Sequence, residues 1–326
     1  MSNVSGNTIR VGLAGFGLWA RLCYVPLLAE LPDVQVVGVA ARSESTRKAA
    51  ASAFGDGITL HDHYTGLIES EALDAVLVAL TPALNAVAAA AGLERGLHVF
   101  VEPPFAEGRD TENMLALAEI GRVVLHSDVE PRYLPVVQAL RGLFGEGELG
   151  ALRSLRLDHE MLLSSEYSER SMVFGLGPWY VDLLDAFSQS PAARIELVPD
   201  GRRDDGLLVT GEATIEYETG VSATWNFGFE GPRELALSVS LTGERGEAMA
   251  DLTTGQYRWR VDGADWQAAV ADCSRPEAGF IGMRESLRSF LAAVRGQGET
   301  MSGPDVIGRT QPVLLELQRQ DESLSR

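Results

Sequence analysis

Lysine is all but missing from this chain: of its 27 basic residues only Lys48 is a lysine, and the rest are arginine. Any mechanism that requires a lysine therefore has one candidate. Cysteine is nearly as scarce. Cys23 and Cys273 stand far apart, which excludes a disulfide framework and a zinc knuckle. Positive charge is in deficit, with 46 acidic residues giving a net charge of −19. No basic stripe with interleaved aromatics is present, so nucleic acid is excluded as a partner and the acidity reads as a solvated surface. No apolar run reaches the ~18 residues of a membrane span. The first residues, Met1 to Thr8, have neither a basic nor an apolar leader region. The expectation is a cytoplasmic protein that acts on a small molecule and has no membrane partner. His61-Asp62-His63 lacks a third ligand and reads as a solvated loop, so no metal site is expected. A nucleophile elbow and a phosphate loop ending in Gly-Lys are also lacking.

What is present begins at Gly12-Leu-Ala-Gly15-Phe16-Gly17-Leu18-Trp19-Ala20. It follows the apolar run Ile9 to Leu13 and precedes a segment that reads as a helix, Ala20 to Leu31. A strand, a glycine turn and a helix in this order open a dinucleotide-binding βαβ unit. Gly15 permits the tight turn, Gly17 lets the backbone approach a pyrophosphate, and Ala20 lets the helix pack closely on the sheet. The helix N-terminus offers N–H groups to the phosphates. Strand two ends Val39-Ala40-Ala41-Arg42-Ser43, with no carboxylate where an NAD enzyme places one on the ribose 2′-hydroxyl. Arg42 and Arg47 suit a 2′-phosphate and Ser43 can donate to it. The cofactor expected is NADP, with NAD as the alternative.

At 326 residues, 45% of them apolar, the chain has room for two ordinary domains. Residues 1–125 alternate strands and helices: strands at Ile9–Ala14, Gln35–Ala41, Ala75–Leu80, His98–Val101 and Arg122–His126, with helices at Thr46–Phe54, Ala83–Arg95 and Thr111–Ile120. This is the pattern of a parallel α/β sheet, a Rossmann domain. Residues 126–326 change character. Alternating segments at Leu152–His159, Glu212–Tyr217, Val221–Phe229, Glu234–Thr242 and Tyr257–Val261 predict an α+β domain with an open, mostly antiparallel sheet. Helices at Phe280–Arg295 and Val306–Gln320 close it. Trp225, Phe227 and Phe229 fall at i, i+2 and i+4, on one side of a strand. They form either the exposed face of a homo-oligomer, a dimer or tetramer, or the core beneath the closing helices.

The landmarks together resemble the glucose-fructose oxidoreductase / inositol dehydrogenase / MocA family. They are the glycine fingerprint with Pro26, Thr81-Pro82, Gly96-Leu-His-Val-Phe-Val-Glu102-Pro103-Pro104, Arg132-Tyr133-Leu-Pro135 and Gly175-Leu-Gly-Pro-Trp179-Tyr180-Val-Asp182. The resemblance implies NAD(P)-dependent oxidoreductase activity and adds Thr81, Pro82, Glu102 and Pro103 to the cofactor-binding residues. It also implies a lysine in Glu-Lys-Pro, with an aspartate and a histidine as partners. This chain has Pro103, Gly175 and Trp179 at those places, and Ala86 where another histidine is often found. Alcohol oxidation needs a base, and the usual one is gone. The chain is in this respect similar to the thiazolinyl imine reductases and biliverdin reductases, which also lack the lysine.

The expectation is therefore a reductase of a C=N, C=O or conjugated bond in a small specialised metabolite. The alternatives on the same fold are a non-redox enzyme (an isomerase, cyclase or lyase) and a non-catalytic dinucleotide-binding protein. Candidate proton donors or catalytic groups are Tyr180, Asp128 and Asp182. Candidate substrate residues are His126, Arg132 and Tyr133 beyond the fifth strand, His159 at a strand exit near Glu160 and Tyr167, and Trp179 as an apolar wall.

Overall fold

The computed structural model describes residues 8–162, 171–273 and 281–325. The chain divides into two units: Met1–Val129 with Arg275–Gly308, and Glu130–Ser274 with Arg309–Arg326. The sequence placed one boundary at 125/126 and gave all later residues to the second domain. The structure returns the segment before Gly308 to the first unit, for a packing reason given below.

In the first unit the strands are β1 (Ile9–Ala14), β2 (Val34–Ala40), β3 (Thr59–His61), β4 (Ala75–Val78), β5 (His98–Val101) and β6 (Leu125–Ser127). They form one parallel sheet in the order β3-β2-β1-β4-β5-β6. β1 and β4 sit in the middle and are apolar because both their faces are covered. The chain leaves β1 through the glycine turn into a π-helical turn, Ala20–Tyr24, and helix α1, Val25–Ala29. Helices α2 (Glu44–Phe54), α3 (Tyr64–Ser70), α4 (Pro82–Glu94) and α5 (Arg109–Ile120) follow their strands. One face of the sheet is covered by Tyr24, Leu27 and Leu28 together with Met283, Leu287, Phe290, Leu291 and Val294 of a later helix, Met283–Val294. Phe290 meets Phe100 of β5 edge-on at 5.4 Å. That apolar stripe is why the segment belongs here. The other face is closed by Ala88, Ala89, Ala90 and Met114 over Val76 and Val99.

His61 ends β3 rather than lying in a loop, and its ring meets Glu71 at 3.3 Å. His63 caps α3, accepting from the Thr65 N–H. No cluster able to hold a metal exists among the described residues. Among them, too, no helix is long and apolar enough to cross a membrane.

The second unit contains α6 (Pro135–Gly145), β7 (Leu152–Leu162), α7 (Met172–Gly175), α8 (Gly177–Ser188), β8 (Ala192–Arg202), β9 (Leu208–Tyr217), β10 (Ser222–Gly228), β11 (Glu230–Gly243), β12 (Gly246–Asp251), β13 (Gln256–Val261) and β14 (Gln267–Val270). The sheet order is β14-β13-β12-β11-β7-β10-β9-β8. It is antiparallel except for the central pair β7–β10, which runs parallel. Helix α9 (Met283–Val294) is the first unit's closing helix; α10 (Pro304–Leu324) begins in the first unit and ends in the second.

Trp225, Phe227 and Phe229 are buried, and Trp225 packs on Tyr180 of α8 at 5.3 Å. The aromatic stripe is therefore the internal core of this unit and not an exposed oligomer face. The opposite side of β10 carries Ser222, Thr224 and Asn226 instead.

Candidate functional site

The turn after β1 is shaped by close approach. Gly15 has φ +106°, and a Cβ there would lie 2.0 Å from the Ala79 carbonyl oxygen. Only glycine lets the chain pass so near the end of β4. Gly17 differs: a Cβ built on it meets nothing within 4 Å, because it faces an open cleft. This cleft, about 440 Å³, runs between the glycine turn (Gly15, Phe16, Gly17), the end of β2 (Arg42, Ser43) and the start of α4 (Leu80, Thr81). It lies at the carboxyl ends of the strands, between β2 and β4 on either side of β1, where open parallel sheets bind dinucleotides.

The remaining cofactor-binding candidates divide. Arg42 is exposed in the cleft wall. Ser43 also lines it, but its hydroxyl oxygen caps α2, accepting from the Thr46 N–H at 3.0 Å. Arg47 is used elsewhere: its Nη1 donates to the carbonyls of Ala41 and Arg42, each at 2.7 Å, and so ties down the loop that carries Arg42. Arg21, which sequence reasoning passed over, lines the cleft one turn beyond Gly17. Leu18 is exposed and Ala20 fully buried. Pro82 starts α4. Pro103 is buried and lies outside the cleft lining.

Glu102 and Trp19, expected at the cofactor, are joined to each other. The Trp19 indole N–H donates to Glu102 Oε1 at 2.6 Å, and the Tyr24 hydroxyl donates to the same oxygen. The π-helical turn explains the convergence, since its wider spacing brings both side chains to one side. Asp128 lies against Glu102, and the Ser286 hydroxyl of α9 donates to Asp128 Oδ1 at 2.7 Å. Burial, then repulsion from Asp128, holds the Glu102 carboxyl well above the usual range. Burial raises Asp128 to about 7. His126 is fully buried beside them, stacked on Phe100 at 4.7 Å, with Nε2 at 3.0 Å from Ser286 Oγ. It serves this network and not a substrate surface.

In the second unit the expected site residues are internal. Arg132 grips Asp182 through Nε (2.8 Å) and Nη2 (2.5 Å), and Asp185 bridges it to Arg309. Burial raises the Asp182 carboxyl to about 6 although Arg132 pulls the other way. Asp182 and Arg132, expected at the catalytic and substrate site, are committed to each other and hold the chain before α6 onto α8. Tyr180, expected as a proton donor, is 2% exposed and stacked on His159 at 3.8 Å within the core of this unit. His159 is equally enclosed; burial lowers its pKa to about 3, and neither ring nitrogen has a hydrogen-bond partner. Tyr133 is buried, and Trp179 is half-buried. Tyr167 lies outside the described residues.

Residues 9–128 match the GFO_IDH_MocA profile, described as an oxidoreductase family with an NAD-binding Rossmann fold. A dTDP-3,4-didehydro-2,6-dideoxy-α-D-glucose 3-reductase of Streptomyces violaceoruber is 32% identical over 148 residues, 45% of this chain and 43% of that one. The enzyme of the same name from Saccharopolyspora spinosa is 23% identical over 271 residues, 80% of this chain and 78% of its own. Among solved structures, the 3-ketoreductase KijD10 of Actinomadura kijaniata, in complex with TDP-benzene and NADP, superposes with a TM-score of 0.76 at 22% identity. The match covers 96% of this chain and 97% of that one, and it shows a shared fold.

Proposed function

We propose, from the match of residues 9–128 to the GFO_IDH_MocA oxidoreductase model, that the chain is an NADP(H)-dependent reductase of a carbonyl group on a small sugar-like metabolite. The observation that carries the cofactor part is the cleft: Gly17 opens onto it, and Arg42 stands in its wall at the end of β2 with no carboxylate beside it. Gly17 and the following helix end would hold the pyrophosphate, and Arg42 the 2′-phosphate. The bound dinucleotide supplies the hydride. The direction of reaction follows the similar 3-reductases; Pro103, Gly175 and Trp179 stand where the resemblance expects lysine, aspartate and histidine, so the proton must be handled by other groups. The substrate class follows the similar 3-reductases, which act on dTDP-linked keto sugars by name.

The test is consumption of NADPH on adding a dTDP-linked 3-keto sugar, set beside NADP+ with common polyols and free sugars. Reduction of the first without oxidation of the others supports the reading. Oxidation of polyols at ordinary enzyme rates sinks it.

Two further assignments belong to this reading. The scarcity of cysteine in the sequence suits a cytoplasmic location. A homo-oligomer would use the polar outer face of the second sheet, where Ser238 and Ser240 are exposed.

A further inference from the structure

Two carboxyl groups are buried side by side in the first unit, at the ends of adjacent parallel strands. Glu102 follows β5 and Asp128 follows β6; they are 6% and 0% exposed. Burying two carboxylates together is costly, and apolar residues would close the same space without that cost. The surroundings of the pair supply hydrogen bonds but little countercharge. From the helix after the glycine turn, the Trp19 N–H and the Tyr24 hydroxyl both donate to Glu102 Oε1. From α9, Ser286 donates to Asp128 Oδ1. From β6, His126 Nε2 stands 3.0 Å from Ser286 Oγ, and the Thr300 hydroxyl 2.8 Å from His126 Nδ1. Because the Ser286 proton is committed to Asp128, its oxygen accepts from Nε2–H, which makes His126 the Nε2–H tautomer. Two adjoining anions do not persist in such a place; the pair keeps one proton between them. Glu102 Oε1 already accepts two donors, so the proton belongs on Oε2 or on the Asp128 oxygen facing it.

The location gives this proton a use. Arg42 at the end of β2 marks the adenosine side of the crevice, so β4, β5 and β6 border the nicotinamide half. Resting on the reductase reading above, we propose that the Glu102–Asp128 pair is the acid of the reaction, in place of the lysine that Pro103 replaces. Carbonyl reduction requires a hydride and a proton. The hydride comes from the reduced nicotinamide, which is oxidised, and forms the new C–H bond. The C=O π pair moves to oxygen, which takes the proton from Glu102 to form the O–H bond. The pair is left doubly ionised and regains its proton from water. Glu102, which has the exposed edge, hands the proton over, and Asp128 shares and restores it.

The experiment uses the whole chain and its Glu102→Gln and Asp128→Asn variants. Glutamine keeps an oxygen for Trp19 and Tyr24 but has no acid proton. Infrared spectra at neutral pH, in light and heavy water, should show the carbonyl stretch of one protonated buried carboxylic acid. Glu102→Gln should remove the Glu102 share of it and leave only the Asp128 carboxyl to titrate near 7, and in Asp128→Asn it should titrate away at lower pH, since a neighbouring negative charge is gone. With NADPH and a dTDP-linked 3-keto sugar, Glu102→Gln should lower kcat about 100-fold while NADPH affinity, read by fluorescence, stays within about twofold. Absence of the protonated band from wild-type protein overturns the proposal whatever the substrate, as does full turnover by Glu102→Gln. Wild-type protein that shows the band and binds NADPH yet reduces no carbonyl refutes the reductase reading, and with it the catalytic use of the proton.

Discussion

Three residues, Gly17, Gly15 and Asp128, carry most of the account at the scale of the residue. Gly17 faces open space, so Gly17→Val should leave the chain folded, with an unchanged circular dichroism spectrum, and abolish nucleotide binding by filling the pyrophosphate's place. Gly15→Ala should act oppositely. Its methyl would strike the Ala79 carbonyl at a φ of +106°, so stability falls by roughly 1–3 kcal/mol or more in denaturant titration. Asp128 adds a pH signature. Its folded pKa, about 7, lies above the unfolded carboxylate value, so between about pH 4 and 7 the native chain holds a proton that the unfolded chain has released. Its contribution is therefore most favourable at the acid end and is lost as pH rises through that window. Asp182, raised to about 6, acts in the same sense, and His159, lowered to about 3, in the opposite one below about pH 6.5. Asp128→Asn isolates the first effect: its thermal midpoint should gain on wild type as pH rises towards 8. A constant difference across that range would contradict the assignment.

At the scale of the element, legibility followed periodicity. The parallel strands and helices of the first unit could be read because fully covered strands are continuously apolar and the glycine turn punctuates them. β8 was missed: it is an edge strand with Pro199 and charged residues, held by α10, whose Gln320 accepts from the Leu197 N–H and donates to the Ile195 carbonyl. β12 is not legible in the sequence because Glu247-Ala-Met-Ala offers helix-forming rather than β-branched side chains. The glycine cleft and Arg42 were visible in the sequence. The Glu102–Asp128 pairing was not, since only strand order brings those residues together. Asp182 and Asp185 of α8 pair with buried Arg132, a contact that no spacing in the sequence reveals. Arg132→Ala leaves buried Asp182 without its main countercharge and Asp185 with Arg309 alone, and should cost about 3–5 kcal/mol in denaturant titration. Loss under about 1 kcal/mol would show the network to be dispensable.

At the scale of the whole molecule, residues 9–128 match the oxidoreductase model while the side chains that the resemblance implies for catalysis are replaced. Intact cofactor geometry beside Pro103, Gly175 and Trp179 is what a reductase requires if its proton comes from elsewhere. The net charge of −19 gives no attraction for nucleic acid. It also places a premium on arginines such as Arg42 and Arg21 for drawing an anionic dinucleotide into the cleft. Everything downstream depends on that binding event.

The most direct measurement is therefore a fluorescence titration of the purified chain with NADPH and with NADH, repeated on Arg42→Ala and Gly17→Val. NADPH should bind at least about tenfold more tightly than NADH. Arg42→Ala should weaken NADPH roughly 10–100-fold and NADH little, the range of a lost charge-assisted phosphate contact. Gly17→Val should bind neither. Equal affinity for both cofactors, with Arg42→Ala harmless to each, would contradict the cofactor assignment, and failure of the wild-type chain to bind either would contradict the account at its base.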